Sequence, residues 1–122
     1  MMKIIFANNK ELEYIEALET STFYDNANRR MLQFTIAKDA IALDELNAIL
    51  SDGANLTQLH LINEEEGAEN YYNNYEIKME LTMRPEVVAS MEDGTEFKED
   101  RIIFKLGKLT TIEKQLKALG VL

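Results

Sequence analysis

One histidine, two clusters of carboxylates and a run of tyrosines are the side chains in this chain whose types could do chemistry. His60 could serve as a general base, a role that needs an oriented partner and a pocket. It stands between Leu59 and Leu61, and their alternation points it away from a core, as a surface or interface histidine. No Gly-x-Ser-x-Gly sequence supplies a nucleophile elbow. The five glycines stand far apart, so there is neither a phosphate loop nor a dinucleotide fingerprint. With no cysteine, disulfides, thiolate catalysis and cysteine-based zinc sites are excluded.

Paired carboxylates can hydrolyse glycosides or hold Ca²⁺. The candidates are Glu64-Glu65-Glu66 and Glu92-Asp93-Gly94-Thr95-Glu96. Neither has the alternate-position spacing of an EF-hand loop, and both read as solvated acidic loops. The expectation is a protein that binds or assembles rather than an enzyme, with no cofactor and no metal. Tyr71-Tyr72-Asn73-Asn74-Tyr75 fits that expectation, because tyrosine buries much contact area at little entropy cost. Tyr71 and Tyr72 cannot both point the same way, so one of them is expected at the surface.

Those residues must be positioned by a small fold. A chain of 122 residues fits one domain, with enough buried surface for a core. Lys3–Ala7 reads as a strand, Asn8-Asn9-Lys10 as a turn and Glu11–Leu18 as the returning strand. Thr20–Arg30 is polar and reads as a loop. From Met31 to Lys38, Leu32, Phe34 and Ile36 alternate as on a half-buried strand. The period then lengthens: Leu43, Leu46, Ile49 and Leu50 mark a short helix, which Asp52-Gly53 ends with glycine available for a left-handed cap. Leu56–Ile62 is a strand, and residues 63–70 form a polar loop.

The clearest alternation runs from Tyr75 to Met83, with Tyr75, Ile77, Met79, Leu81 and Met83 on one face. Pro85 stops or edges that ladder. Glu92–Thr95 is a turn and Arg101–Leu106 the last strand. Thr110-Thr111-Ile112-Glu113 matches a capping box opening a terminal helix, with Gly120 as its cap. The expected class is α+β but mainly β: a small, mostly antiparallel barrel or sandwich with one inserted helix and a C-terminal amphipathic helix. Residues 1–108 would be the β-rich body. Residues 109–122 would be either part of the same domain or an assembly arm.

Charge is unevenly spread over this body. The net charge is −9. Residues 1–62 hold nine acids and five bases, 63–100 twelve and three, and 101–122 one and five. An acidic balance disfavours nucleic acid and anionic membranes as partners. The apolar start is too short for a signal peptide and no stretch reaches a membrane span, so the expected place is the cytoplasm of the producing cell. The terminal stripe of Ile112, Leu116 and Leu119 needs a cover. Either it folds back on its own sheet or it docks on another subunit. An acidic body and a basic tail suit head-to-tail association, which closes into rings when the rotation allows.

The order of several segments resembles a known group. Lys3-Ile4-Ile5-Phe6-Ala7, Leu43-Asp44-Glu45-Leu46, Asn74–Leu81 leading to Pro85-Glu86-Val87-Val88, and Thr111–Leu116 are similar to a family of small proteins encoded in phages and prophages of Firmicutes. The similarity covers nearly the whole chain, and its motifs are structural rather than catalytic. Members sit among tail and baseplate genes. The resemblance implies a tail-associated structural or assembly protein, in the producing cell or in the virion. Its partners would be proteins: other copies of itself or other tail proteins. The other class that the sequence supports is an acidic inhibitor mimicking nucleic acid, for which residues 63–100 are the motive.

Overall fold

Leu32, Phe34 and Ile36 pair across an antiparallel ladder with Leu106, Phe104 and Ile102, and all six are buried. In the computed structural model, which describes residues 1–121, this pair of strands is the middle of one of two sheets. The C-terminal segment's last residue, Leu122, lies outside the described residues. The first sheet has the order β2 (Glu11–Glu13), β1 (Met2–Ile5), β5 (Gln58–Asn63), β6 (Ala68–Asn73). The second has the order β3 (Glu16–Tyr24), β4 (Ala27–Ala37), β8 (Thr95–Gly107), β7 (Ile77–Glu92). Every pairing is antiparallel. With 55% strand and 18% helix and neither sheet closed on itself, the expected mainly β architecture takes the sandwich form.

The core lies between the sheets. Ile4, Leu12, Leu59 and Leu61 face Leu32, Phe34, Phe104 and Leu106 across it. Phe34 stacks on Phe104 at 4.9 Å between ring centroids and meets the edge of Tyr14 at 5.6 Å. Helix α1 (Leu43–Ser51) carries the chain from one sheet to the other and buries Leu46, Ile49 and Leu50 in the same core. Leu43 remains exposed. The helix does not end in a left-handed glycine. Asp52 is extended and its side chain accepts from the Ala54 amide, so Gly53 instead opens a short 3-10 turn.

Four other expectations are corrected. Residues 20–30 are not a loop: β3 and β4 form a hairpin whose turn is only Asp25-Asn26, both with positive φ. In its outer half the buried position of β4 is taken by a charged residue, Arg29, so the alternation there is of burial and not of apolar residues. The partner of β1 is just Glu11–Glu13; from Glu16 the chain belongs to the other sheet. Along β7 the expected single apolar face is broken by a bulge between Lys78 and Glu80. Ile77 pairs with Gly107 but Leu81 with Phe104, three residues away on β8, so the two side chains lie on opposite faces. Pro85 does not stop β7. It falls within a second bulge, between Arg84 and Val87, on the edge strand of its sheet.

Candidate functional site

Helix α2 (Thr111–Ala118) opens with the expected capping box. Thr110 Oγ1 accepts from the Glu113 amide at 3.2 Å, and Glu113 Oε1 accepts from the Thr110 amide at 2.8 Å. Gly120, with φ of 76°, turns the chain out of the helix. The way this helix is held is not legible in its apolar pattern. Glu113 reaches a buried arginine, Arg29, whose Nη1 and Nη2 donate to the two carboxylate oxygens at 2.7 and 3.2 Å. The Arg29 side chain is wholly buried. Its Nε donates to the Tyr24 carbonyl at 3.0 Å and its Nη1 also to the Lys108 carbonyl at 3.0 Å. One guanidinium thus ties the β3–β4 turn, the end of β8 and α2 together. Gly107 makes room for it: a Cβ there would sit 2.9 Å from Arg29 Cδ and 3.0 Å from Met79 Sδ.

The Arg29 guanidinium, with a further bond from the Thr110 amide, holds the Glu113 carboxyl down at about 2. One turn on, Lys117 pairs with Glu76. Leu109, just before the helix, is buried. The polar residues at i and i+4 therefore face the body. Ile112 and Leu119 are 68% and 76% exposed, and Leu116 is half-buried. The apolar stripe does not fold back on its own sheet. Val121 and, on the β3 tip, Phe23 are also exposed.

Beside α2 lies a cleft of about 360 Å³ lined by Asn28, Arg29, Arg30, Lys108, Leu109, Thr110, Thr111 and Lys114. Its lining has four cations and no carboxylate. Arg29 is met by Glu113, and Arg30 by Glu19 at 2.8 Å. Glu19 also accepts at 2.9 Å from the hydroxyl of buried Tyr75, so its carboxyl is held below its usual value, first by Arg30 and then by Tyr75. The Lys108 ammonium lies 5.6 Å above the Tyr75 ring, and that of Lys114 has no ion pair among the described residues.

The opposite end of the sandwich is acidic. β4 stops pairing with β8 at Ala37 and Arg101, yet β7 and β8 run on to a turn at Asp93-Gly94. Residues 84–100 thus form a two-stranded arm beyond the sheet. Residues 95–99 of β8 have β7 as their strand partner and an open edge on the other side. Val88, Met91 and Phe97 are exposed on this arm, and Glu92, Asp93 and Glu96 crowd its tip. The acidic turn after β5, with Glu64, Glu65 and Glu66, lies at the same end. Asn63 pairs with Met2, and the Met2 carbonyl receives the Tyr14 amide, next to the Ile15–Thr35 contact.

Tyr71 and Tyr72 divide as expected. Tyr71 is exposed and Tyr72 packs edge-on to Tyr75 at 5.9 Å. Tyr71 stacks on His60 at 4.2 Å, and His60 Nε2 lies 3.0 Å from Glu69 Oε1, on the sheet surface. Among the described residues no group of three or more His, Asp or Glu side chains is placed to hold a metal ion. No helix among them is long and apolar enough to cross a membrane. No protein-family model, no curated protein and no solved structure matches the chain.

Proposed function

We propose that this protein is a structural or assembly component that acts through protein–protein contacts, and, on the resemblance of its segments, one associated with a phage tail or baseplate. The observation that carries the assembly reading is the orientation of α2. A helix held by Glu113 and Lys117 presents Ile112 and Leu119 outward. Contiguous exposed aliphatics on an ordered element mark a contact surface. The projecting arm adds a second one, with Val88 and Met91 exposed on one face and Phe97 on the other. Aromatic and methionine side chains are the residues that interfaces favour.

A second reading has its own observation. Two acidic turns share one end of the molecule, as an inhibitor mimicking the phosphates of nucleic acid would require. The two are separated by purifying particles from cells that carry the encoding genome and quantifying the chain against the other virion proteins. A fixed ratio to those proteins is expected. Absence from particles, together with displacement of DNA from a basic enzyme, would favour the mimic instead.

A further inference from the structure

The acidic arm and the basic cleft lie at opposite ends of one strand. β8 begins in the arm at Thr95 and ends at Gly107, whose neighbours Lys108 and Leu109 line the cleft. Thirteen residues of strand span about 40 Å. Within one chain the tip therefore cannot reach the cleft. The two ends are nevertheless complementary. The tip offers Glu92 and Asp93, neither of which has an ion pair among the described residues, and Glu96, whose one partner, Lys98, is 3.8 Å away. The cleft offers Lys114 and Lys108 with no lining carboxylate. Apolar side chains lie beside the charges at both ends: Val88 and Met91, on the face of the arm that carries Glu96, behind the tip, and Ile112, Leu119 and Val121 beside the cleft.

We propose that the arm of one copy seats in the basic cleft of a second copy, its acidic tip against Lys108 and Lys114 and the face that carries Val88 and Met91 over the outer side of α2. The occupant is a second copy because the negative charge that the cleft lacks is present at the far end of the same chain, beside exposed apolar side chains that match those on α2. Such a contact uses different surfaces on the two subunits. It therefore generates a ring if the rotation closes and a filament if it does not. This inference rests on the assembly reading and names its partner.

Charge exchange tests it. Glu92→Lys with Glu96→Lys makes the tip basic and spares the Asp93-Gly94 turn, where φ is positive. Thr111→Glu with Lys114→Glu brings two carboxylates into the cleft against the one cation there, Lys108, that Glu113 and Glu19 leave without an ion pair, and acids suit the first turn of a helix. Melting curves establish that each variant is folded; a variant that is not is replaced by Glu92→Gln with Glu96→Gln, or by Lys114→Gln. Like charges then face each other in either charge-reversed variant alone, and self-association measured by light scattering should weaken about a hundredfold. Mixing the two variants should restore it, since each then carries the complement of the other. Wild-type mass should fall as salt is raised. Variants that associate as the wild type does would overturn the arm-in-cleft contact while leaving assembly through α2 standing. A wild type that stays monomeric at about 100 µM, far above micromolar affinity, would overturn self-association itself.

Discussion

Arg29→Ala should cost about 3–5 kcal/mol of folding stability, the usual effect of removing one partner of a buried ion pair. The reason is geometric. The wild-type guanidinium is fully enclosed and serves acceptors on three elements: Tyr24, Lys108 and Glu113. Its loss strands the Glu113 carboxylate and two carbonyls, and opens a hole where its stem crosses Gly107. Domains of this size are stable by about 5–15 kcal/mol, so the variant loses a large part of that. Urea unfolding monitored by circular dichroism reads it as a shift in midpoint. A cost below about 1 kcal/mol, the value of a surface pair, would mean that Arg29 does not organise this end of the molecule.

The same pair should make the protein acid-labile. Glu113 is held at about 2 by Arg29 and then by the Thr110 amide, against an ordinary value of 4.5. A carboxyl whose folded value is depressed contributes stability that is fully present above its unfolded value and lost as pH falls through the folded one. The difference corresponds to about 3 kcal/mol. The loss should therefore set in below pH of about 4.5 and be complete near pH 2. Glu113→Gln keeps the shape but not the charge. It should be less stable than the wild type at neutral pH, and the gap should close toward pH 2. Denaturant midpoints measured across this range read the gap directly. A gap independent of pH would remove the carboxylate from this account.

What could be read in the sequence follows where burial imposes a pattern. Leu32, Phe34 and Ile36, the α1 face of Leu46, Ile49 and Leu50, and the Thr110–Glu113 capping box were legible because one face of each element meets the core or one local rule decides it. The β3–β4 tip and the arm were not. In the tip the buried position is filled by an arginine, Arg29, so burial alternates without an apolar pattern to mark it, and the arm leaves the sandwich with no buried face at all. Along β7 a bulge moves the register by one, which period two in the sequence cannot show. The spacing on α2 defines the stripe but not its direction. Apolar spacing says which residues share a face, not whether polar partners across the chain outbid that face for the body. Glu113 is the single acid among five bases in residues 101–122, at a helix start that must be anchored, but that its partner is Arg29 follows only from the β3–β4 hairpin bringing that side chain under α2.

That direction is also what makes truncation a poor probe of assembly. Cutting after Lys108 would remove buried Leu109 and the Glu113 carboxylate that pairs with Arg29 together, and the loss of fold would mask any loss of contact. Substitution on the outer side avoids this. The most direct measurement is the solution mass, by light scattering, of the wild type and of Ile112→Asp with Leu119→Asp, each checked by melting. Both side chains are mostly solvent-exposed, so melting should move by no more than about 2 °C, as for ordinary surface changes. The mass should fall from an assembly to a monomer. An unchanged mass at unchanged melting would contradict the claim that the outer side of α2 is where this protein meets its partners.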